Sequence, residues 1–179
     1  PGGSMRKKIA FYVTMVWLLL FGLPYLSAAR TVDMRDHAIN GQVSAAELWQ
    51  QLRELDMQDT LKCNGLAIAG SVHWQDSVRC RAEFTSATFS QEVRVDSNTV
   101  FSKPVIFRDA RFLKSVVFHS AAFSDYVSFQ NAEFVDDANF SNTSFRKNAN
   151  FWYTRFSKQA IFLGVTYYEI AYYPQAVFS

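Results

Sequence analysis

The fold is decided by the stretch "VSFQNAEFVDDANFSNTSFRKNANF", which runs from Val127 to Phe151. Phenylalanine recurs in it at positions 129, 134, 140, 145 and 151, so the steps alternate between five and six residues. An amphipathic helix would repeat its apolar residues every three or four positions, and a half-buried strand would repeat them every second position. The spacing therefore indicates a short structural unit that is repeated many times.

The same spacing extends from Phe107 to Phe178, and a small or β-branched residue stands two positions before each aromatic residue. Side chains two positions apart in an extended chain point to the same side, so each pair can face inward together. The polar residues between the pairs then form corners. The opposite arrangement would expose an aromatic ladder and bury unpaired amides. The residues therefore predict short extended segments coiled around an apolar axis.

Toward the N-terminus the ladder continues in a weaker form. It includes Phe84, Phe89, Val95 and Phe101, and apolar pairs between residues 61 and 74 keep the spacing. The step from Phe101 to Phe107, beside Pro104, predicts a bulge or an altered corner. Residues 75–83 fit the pattern poorly, and we expect a protruding loop there.

The segments "AEFVDDANFSNTSF" and "ARFLKSVVFHSAAF" resemble the pentapeptide-repeat family, in its Phe-centred variant with an extra residue in alternate repeats. The resemblance covers residues 61–179. It implies an all-β fold, a right-handed quadrilateral β-helix (pentapeptide-repeat solenoid) with four units in each coil. Four units of alternating length give about 22 residues per coil here.

The N-terminus has the features of an export segment. Residues 1–4 precede Met5 and are interpreted as an expression remnant. Residues 5–29 combine three basic residues, an apolar run over 9–26 and small residues before Arg30, which is typical of a secretory signal peptide. The residues favour a cleaved signal; the alternative is a retained inner-membrane anchor formed by 9–26. Both predict an exported protein, in the periplasm or elsewhere in the cell envelope.

A short helix is predicted before the repeats. Residues 30–42 have no periodicity and are interpreted as a linker. Ser44 and Glu47 form a capping box at the start of residues 43–56, and Leu48, Leu52 and Leu55 form one apolar stripe. Such a short helix is unstable alone, so we expect it to cap the first coil.

Two cysteines, Cys63 and Cys80, fall on the first predicted coil. In an exported protein they favour a disulfide that closes this coil. The alternative is two buried thiols that fill space as small apolar groups. Their spacing does not match a CxxC redox motif, and with distant His73 they are too few for a zinc site. No metal and no cofactor are predicted.

Neither catalytic motifs nor charge point to an enzyme or a nucleic-acid partner. The sequence contains no G-x-S-x-G, P-loop, H-E-x-x-H or dinucleotide-binding motif. The net charge of +2 implies no strong attraction to nucleic acid or anionic membranes. The best-known activity in the family is DNA mimicry toward gyrase, which needs an acidic rod. Residues 81–179 instead carry ten Lys or Arg and nine Asp or Glu.

One group of residues suggests a contact surface. Trp152, Tyr153, Tyr168 and Tyr172 lie off the inward ladder, close to one another along the chain, and predict a partner-binding surface. The alternative is ordinary aromatic decoration of a β surface. The ladder still runs at Phe178 without a cap. This predicts either that the natural chain continues further or that another chain covers this end, including by end-to-end self-association.

The sequence therefore predicts a non-enzymatic repeat scaffold of the cell envelope that binds a protein partner or acts structurally. The alternative is a membrane-anchored accessory subunit of a membrane protein complex, held through the N-terminal segment.

Overall fold

The computed structural model describes residues 28–178. The predicted expression remnant and residues 5–27 of the predicted signal or anchor lie outside the described residues. Within 28–178, no helix combines the length and the apolar character needed to cross a bilayer.

The described chain consists of short strands and one α-helix. The helix is α1 (Ala45–Glu54), and a 3-10 helix spans Met34–His37. The first strands are β1 (Thr31–Asp33), β2 (Gln42–Ser44), β3 (Thr60–Lys62), β4 (Ala67–Ala69), β5 (Val72–Trp74), β6 (Arg81–Glu83), β7 (Thr88–Phe89), β8 (Val93–Val95), β9 (Val100–Phe101), β10 (Val105–Ile106), β11 (Arg111–Phe112) and β12 (Val116–Val117). The remaining strands are β13 (Ala122–Phe123), β14 (Val127–Ser128), β15 (Glu133–Phe134), β16 (Ala138–Asn139), β17 (Ser144–Phe145), β18 (Ala149–Asn150), β19 (Arg155–Phe156), β20 (Ala160–Ile161), β21 (Thr166–Tyr167), β22 (Ala171–Tyr172) and β23 (Val177–Phe178).

The described strands form four parallel sheets, which are the four faces of a rod. Face 1 has the order β1-β3-β6-β10-β14-β18-β22 and face 2 the order β2-β4-β7-β11-β15-β19-β23. Face 3 has the order β20-β16-β12-β8-β5 and face 4 the order β21-β17-β13-β9. From β6 onward, successive strands along the chain occupy successive faces, so the chain winds around one axis. The quadrilateral β-helix predicted from the sequence is confirmed.

The predicted repeat length is also confirmed. Val105 pairs with Val127, and Val127 pairs with Ala149, which places equivalent residues 22 positions apart on neighbouring coils. The Phe129 amide donates to the carbonyl of Asn150 at 2.7 Å, so the coils are linked by backbone hydrogen bonds. Inter-strand bonds of this kind hold neighbouring coils about 4.8 Å apart.

The phenylalanine ladder fills the axis of the rod. The largest fully buried side chains are Trp74 and eleven phenylalanines between Phe84 and Phe145. Rings in equivalent positions stack, as in the pair Phe107 and Phe129, whose centroids are 5.1 Å apart with 7° between the ring planes. Rings on adjacent faces meet tilted or edge to face, and the edge-to-face arrangement is a favoured geometry for aromatic pairs. The core is thus a continuous column of aromatic contacts.

Buried threonines hydrogen-bond to the preceding coil. The hydroxyls of Thr143 and Thr154 donate to the carbonyls of Phe118 and Phe129, each at 2.8 Å. Both threonines are 0 % exposed and occupy the small position two residues before an inward Phe.

Replacing Thr143 with valine is expected to lower the free energy of unfolding by about 1 kcal/mol, the net value of a buried hydrogen bond. The cost stays small because the Phe118 carbonyl also accepts a bond from the Ala121 amide. Urea unfolding followed by circular dichroism measures the change. The control is Thr166→Val, at an exposed position, which we expect to change little. Equal losses in the two variants would contradict the role of the hydroxyl.

The helix α1 lies where the first coil lacks faces 3 and 4. Strands β1 and β2 begin faces 1 and 2, whereas faces 3 and 4 begin only with β5 and β9, after the helix. The Ser44 hydroxyl accepts a hydrogen bond from the Glu47 amide at 3.1 Å, as the capping box predicts. Leu48, Leu52 and Leu55 are buried in the common core. The helix starts at Ala45 because β2 occupies the preceding residues.

The structure differs from the predicted linker at 30–42. Strand β1 pairs with β3 in register, Val32 opposite Leu61, and the 3-10 helix buries Met34. These residues belong to the rod because Val32 and Met34 contribute to its core.

Two further expectations about the early coils are wrong. Residues 75–83 form no protruding loop, because Val78 is 2 % exposed and bridges Phe101 on face 4. The extra residue of this region also does not lie beside Pro104. Val93 pairs with Val116, 23 positions later, whereas Phe101 pairs with Phe123, 22 positions later. The insertion therefore lies between Val93 and Phe101, at the corner between faces 3 and 4.

Candidate partner-binding surface

The predicted aromatic residues all lie on or beside face 1 near the end of the rod. Trp152 and Tyr153 form the corner between β18 and β19, and their rings stack with centroids 5.7 Å apart. Tyr172 lies on β22, where it pairs with Asn150 of the preceding coil. Tyr168 follows β21, at the opposite edge of face 1. We call these four residues the aromatic surface.

Within residues 28–178, most exposed large apolar side chains lie in the last two coils, and Ile39 and Met57 are exposed near the other end of the rod. The side chains of the aromatic surface are 42–67 % exposed. Leu163, at the corner between faces 3 and 4, is 76 % exposed, and Ile170, at the corner between faces 4 and 1, is 57 % exposed. The sequence analysis missed both. The signal was available, since each is an apolar residue outside the inward ladder, where Ser141 and Asn148 stand one coil earlier. Between residues 58 and 151, all of them described, no large apolar side chain is exposed.

The backbone at Tyr153 is unusual for its residue type. The corner between faces 1 and 2 has one residue with φ between 56° and 72° in every coil after the helix. These residues are Gly65, Ser86, Asp109, Asn131, Tyr153 and Gln175. Glycine, Asn and Asp tolerate this left-handed conformation, whereas a bulky aromatic residue adopts it only at a cost. Tyr153 therefore stands where the fold favours Asn, Asp or Gly.

Replacing Tyr153 with asparagine is expected to raise the free energy of unfolding by about 0.5–1 kcal/mol, because the left-handed corner then holds a tolerant residue. Thermal unfolding followed by circular dichroism measures the effect. The control is Asn131→Tyr, one coil earlier, which is expected to lower stability by at least this amount, because it also removes the 2.9 Å hydrogen bond from Asn131 Nδ2 to Asp109 Oδ1. A destabilised Tyr153→Asn variant would show that the stacking on Trp152 outweighs the backbone cost.

A groove of about 530 Å³ runs along this corner and across face 2. Within it, Arg111 binds Glu133 through an Nε–Oε2 contact of 2.8 Å. Arg155 also lines the groove and forms no ion pair with any carboxylate of residues 28–178. Tyr153 forms part of the same wall. The groove thus joins an exposed aromatic side chain and an unpaired guanidinium.

The charge of the rod changes sign toward this end. Residues 105–145 carry three Lys or Arg and five Asp or Glu, a net charge of −2. Residues 146–178 carry four Lys or Arg and one Glu, a net charge of +3. Lys158 pairs with Asp136 of the preceding coil at 2.7 Å, and Lys147 pairs with Glu169 at 2.6 Å. The end that carries the aromatic surface is therefore the positive end of the rod.

The two cysteines are free and buried, so the predicted disulfide is not formed in the structure. Burial raises the pKa of the Cys63 thiol, and it raises the pKa of Cys80 to about 11. The alternative interpretation, two thiols that fill apolar space, matches this arrangement. The described residues contain no group of three or more His, Cys, Asp or Glu placed to hold a metal ion.

Both thiols are expected to react with a water-soluble disulfide reagent only after unfolding, because burial and a raised pKa suppress the thiolate. Titration without reductant should give almost no reactive thiol in buffer and two per chain in guanidinium. A Cys63→Ala variant should give one reactive thiol per chain in guanidinium. No reactive thiol in guanidinium would reveal a disulfide and contradict the free thiols.

Four parallel sheets wound about one axis, with an inward aromatic ladder, define a β-solenoid, a repeat protein whose coils contact mainly their neighbours. Residues 97–143 and 118–166 match a family model described as "Pentapeptide repeats (9 copies)". This part of the chain belongs to the pentapeptide-repeat family, as the resemblance implied. Neither curated proteins nor solved structures gave a match to the chain.

Proposed function

We propose that this β-solenoid is a scaffold of the cell envelope that binds a protein partner through the aromatic surface. The observation that carries the proposal is the distribution of exposure. Large apolar side chains are exposed at outward positions of residues 152–172 and at none of residues 58–151. Clustered exposed aromatic groups are typical of protein interfaces, where they supply most of the binding energy. A rigid rod suits this role because it presents them without reorganisation.

Site-specific photocrosslinking in the native host tests the proposal. A benzophenone amino acid replaces Tyr172 on the aromatic surface, and in a second variant it replaces exposed Lys114, more than two coils away. We expect a crosslinked protein, identified by mass spectrometry, from position 172 only. Equal adducts from both positions, or none from 172, would refute a docking role for this surface. An adduct of two copies of the chain would support end-to-end or side-by-side self-association instead.

The second candidate is a membrane-anchored accessory subunit of a membrane protein complex. It is favoured by the apolar run at residues 9–26, which is at the short end of what can span a bilayer. The intact mass of the untagged protein, purified from its own host, distinguishes the exported scaffold from the anchored subunit. A chain that begins at Arg30 in the soluble envelope fraction supports the exported scaffold. A chain that retains Met5 in the membrane fraction supports the anchored subunit.

A further inference from the structure

The column of outward residues on face 2 leaves one guanidinium available. Arg111, Glu133, Arg155 and Val177 follow one another in register on β11, β15, β19 and β23. The Glu133 carboxylate binds Arg111. On the other side of Arg155, the next residue of the column is Val177, whose side chain has no hydrogen-bond acceptor. Arg155 is therefore exposed beside the groove with its donors free of a described carboxylate. A planar guanidinium of this kind favours carboxylates, which it binds through two parallel hydrogen bonds.

The neighbours of Arg155 supply an apolar wall. Tyr153 and Trp152 stack with 11° between their ring planes, and they are 48 % and 43 % exposed. Tyr153 holds this position in a left-handed conformation with φ of 56°. A locally unfavourable residue that the fold does not require is most often found at a binding or catalytic site. The strain, the stacked pair and the free cation coincide at one corner.

We propose that this corner selects the partner by a carboxylate. The Arg155 guanidinium binds an Asp or Glu side chain of an extended segment of the partner protein, and the adjoining apolar side chain of that segment packs on Tyr153 and Trp152. The net charge of +3 over residues 146–178 attracts such a segment. This inference rests on the proposed function and specifies the chemistry of the partner.

A matched pair of peptides tests the selectivity. The probes are acetyl-Gly-Leu-Glu-Phe-Leu-Gly-amide and the same peptide with Gln in place of Glu. Binding is followed by the indole N–H resonance of Trp152, assigned with a Trp152→Phe variant. We expect saturable shifts and about fivefold tighter binding of the Glu peptide, the value of one exposed ion pair.

Two arginine variants locate the contact. Arg155→Gln should abolish the preference for the Glu peptide. Arg146→Gln removes the same charge from the other edge of face 1, where Arg146 is also exposed and unpaired among the described residues, and it should preserve the preference. The Tyr153→Asn variant should weaken binding of both peptides although its fold is more stable.

Three results would overturn the inference: equal affinity for the two peptides, a preference that survives in Arg155→Gln, or no shift of the Trp152 signal. A shift produced by hexagalacturonate and by neither peptide would assign the corner to an acidic sugar and also overturn it. Crosslinking from position 172 is repeated in the Arg155→Gln background. If the partner is still captured while the peptides show no preference, the docking surface stands and only its carboxylate selectivity fails.

Discussion

Replacing Phe129 with alanine is expected to lower the free energy of unfolding by about 3–5 kcal/mol, the range for truncating a buried aromatic side chain. Phe129 is 0 % exposed and stacks between Phe107 and Phe151, each with a centroid distance of 5.1 Å. The rings above and below cannot approach each other to fill the gap, because backbone hydrogen bonds fix the spacing of the coils. The variant would therefore retain most of the cavity.

The matched control is Phe178→Ala, the same substitution at the same kind of inward position in the last described coil. Phe178 is 56 % exposed and stacks on Phe156 from one side only. We expect a loss of about 1 kcal/mol or less, because little apolar area leaves the core. Guanidinium unfolding measures both variants. Similar losses of free energy in Phe129→Ala and Phe178→Ala would contradict the view that contacts between neighbouring coils stabilise the rod.

The second large effect concerns Asp59, a carboxylate that is only 3 % exposed. It accepts hydrogen bonds from the Arg30 amide at 2.8 Å, the Arg30 Nη2 at 2.9 Å and the Asp56 amide at 2.9 Å. These bonds join the beginning of β1 to the turn between α1 and β3. Asp59→Ala leaves the three donors without this acceptor, and we expect a loss of about 2 kcal/mol at pH 7.

The same contacts lower the pKa of Asp59 to about 2, chiefly through the Arg30 side chain. A carboxyl group whose pKa falls on folding stabilises the protein above its unfolded value of about 4, and this stabilisation is lost as the pH falls toward 2. Stability of the wild-type protein should therefore decrease over that interval. In Asp59→Asn the decrease should be smaller but not absent, since Arg35 lowers the pKa of Asp33 to about 2 as well.

Asp76→Asn serves as the control for the pH experiment, because Asp76 is exposed and its carboxylate makes no hydrogen bond or ion pair with a described residue. Its pH profile of unfolding should coincide with that of the wild type. If Asp59→Asn retained the full decrease between pH 4 and 2, the buried carboxylate would not be its source.

The regular part of the fold could be predicted because one rule governs it. From Phe107 onward each unit turns a small or β-branched residue and a large apolar residue inward, and most corner residues are polar, so the spacing alone locates strands and corners. The early coils obey the rule with other residues. Val78 takes an inward position without an aromatic ring, and an insertion before Phe101 shifts the register. Residue spacing alone therefore misplaced the loop and the insertion.

The candidate site was predicted only in part. The four aromatic residues were identifiable because they break the inward ladder. Their environment was not, since the left-handed backbone at Tyr153 and the unpaired state of Arg155 depend on residues 22 positions away. Whether Glu133 binds Arg111 or Arg155 is a choice between neighbouring coils, and the sequence offers both partners equally. Contacts of this kind become visible only when the coils are stacked.

Because neighbouring coils keep a register of 22 residues, the number of coils sets the length of the rod. Duplicating one complete coil within residues 105–148 would return every later side chain to the same face, because equivalent positions recur in each coil. The aromatic surface would then move away from helix α1 by one inter-strand spacing, about 4.8 Å, and its residues would stay on the same faces. Gain or loss of whole coils thus changes the reach of the molecule in fixed increments and keeps each later residue on its face.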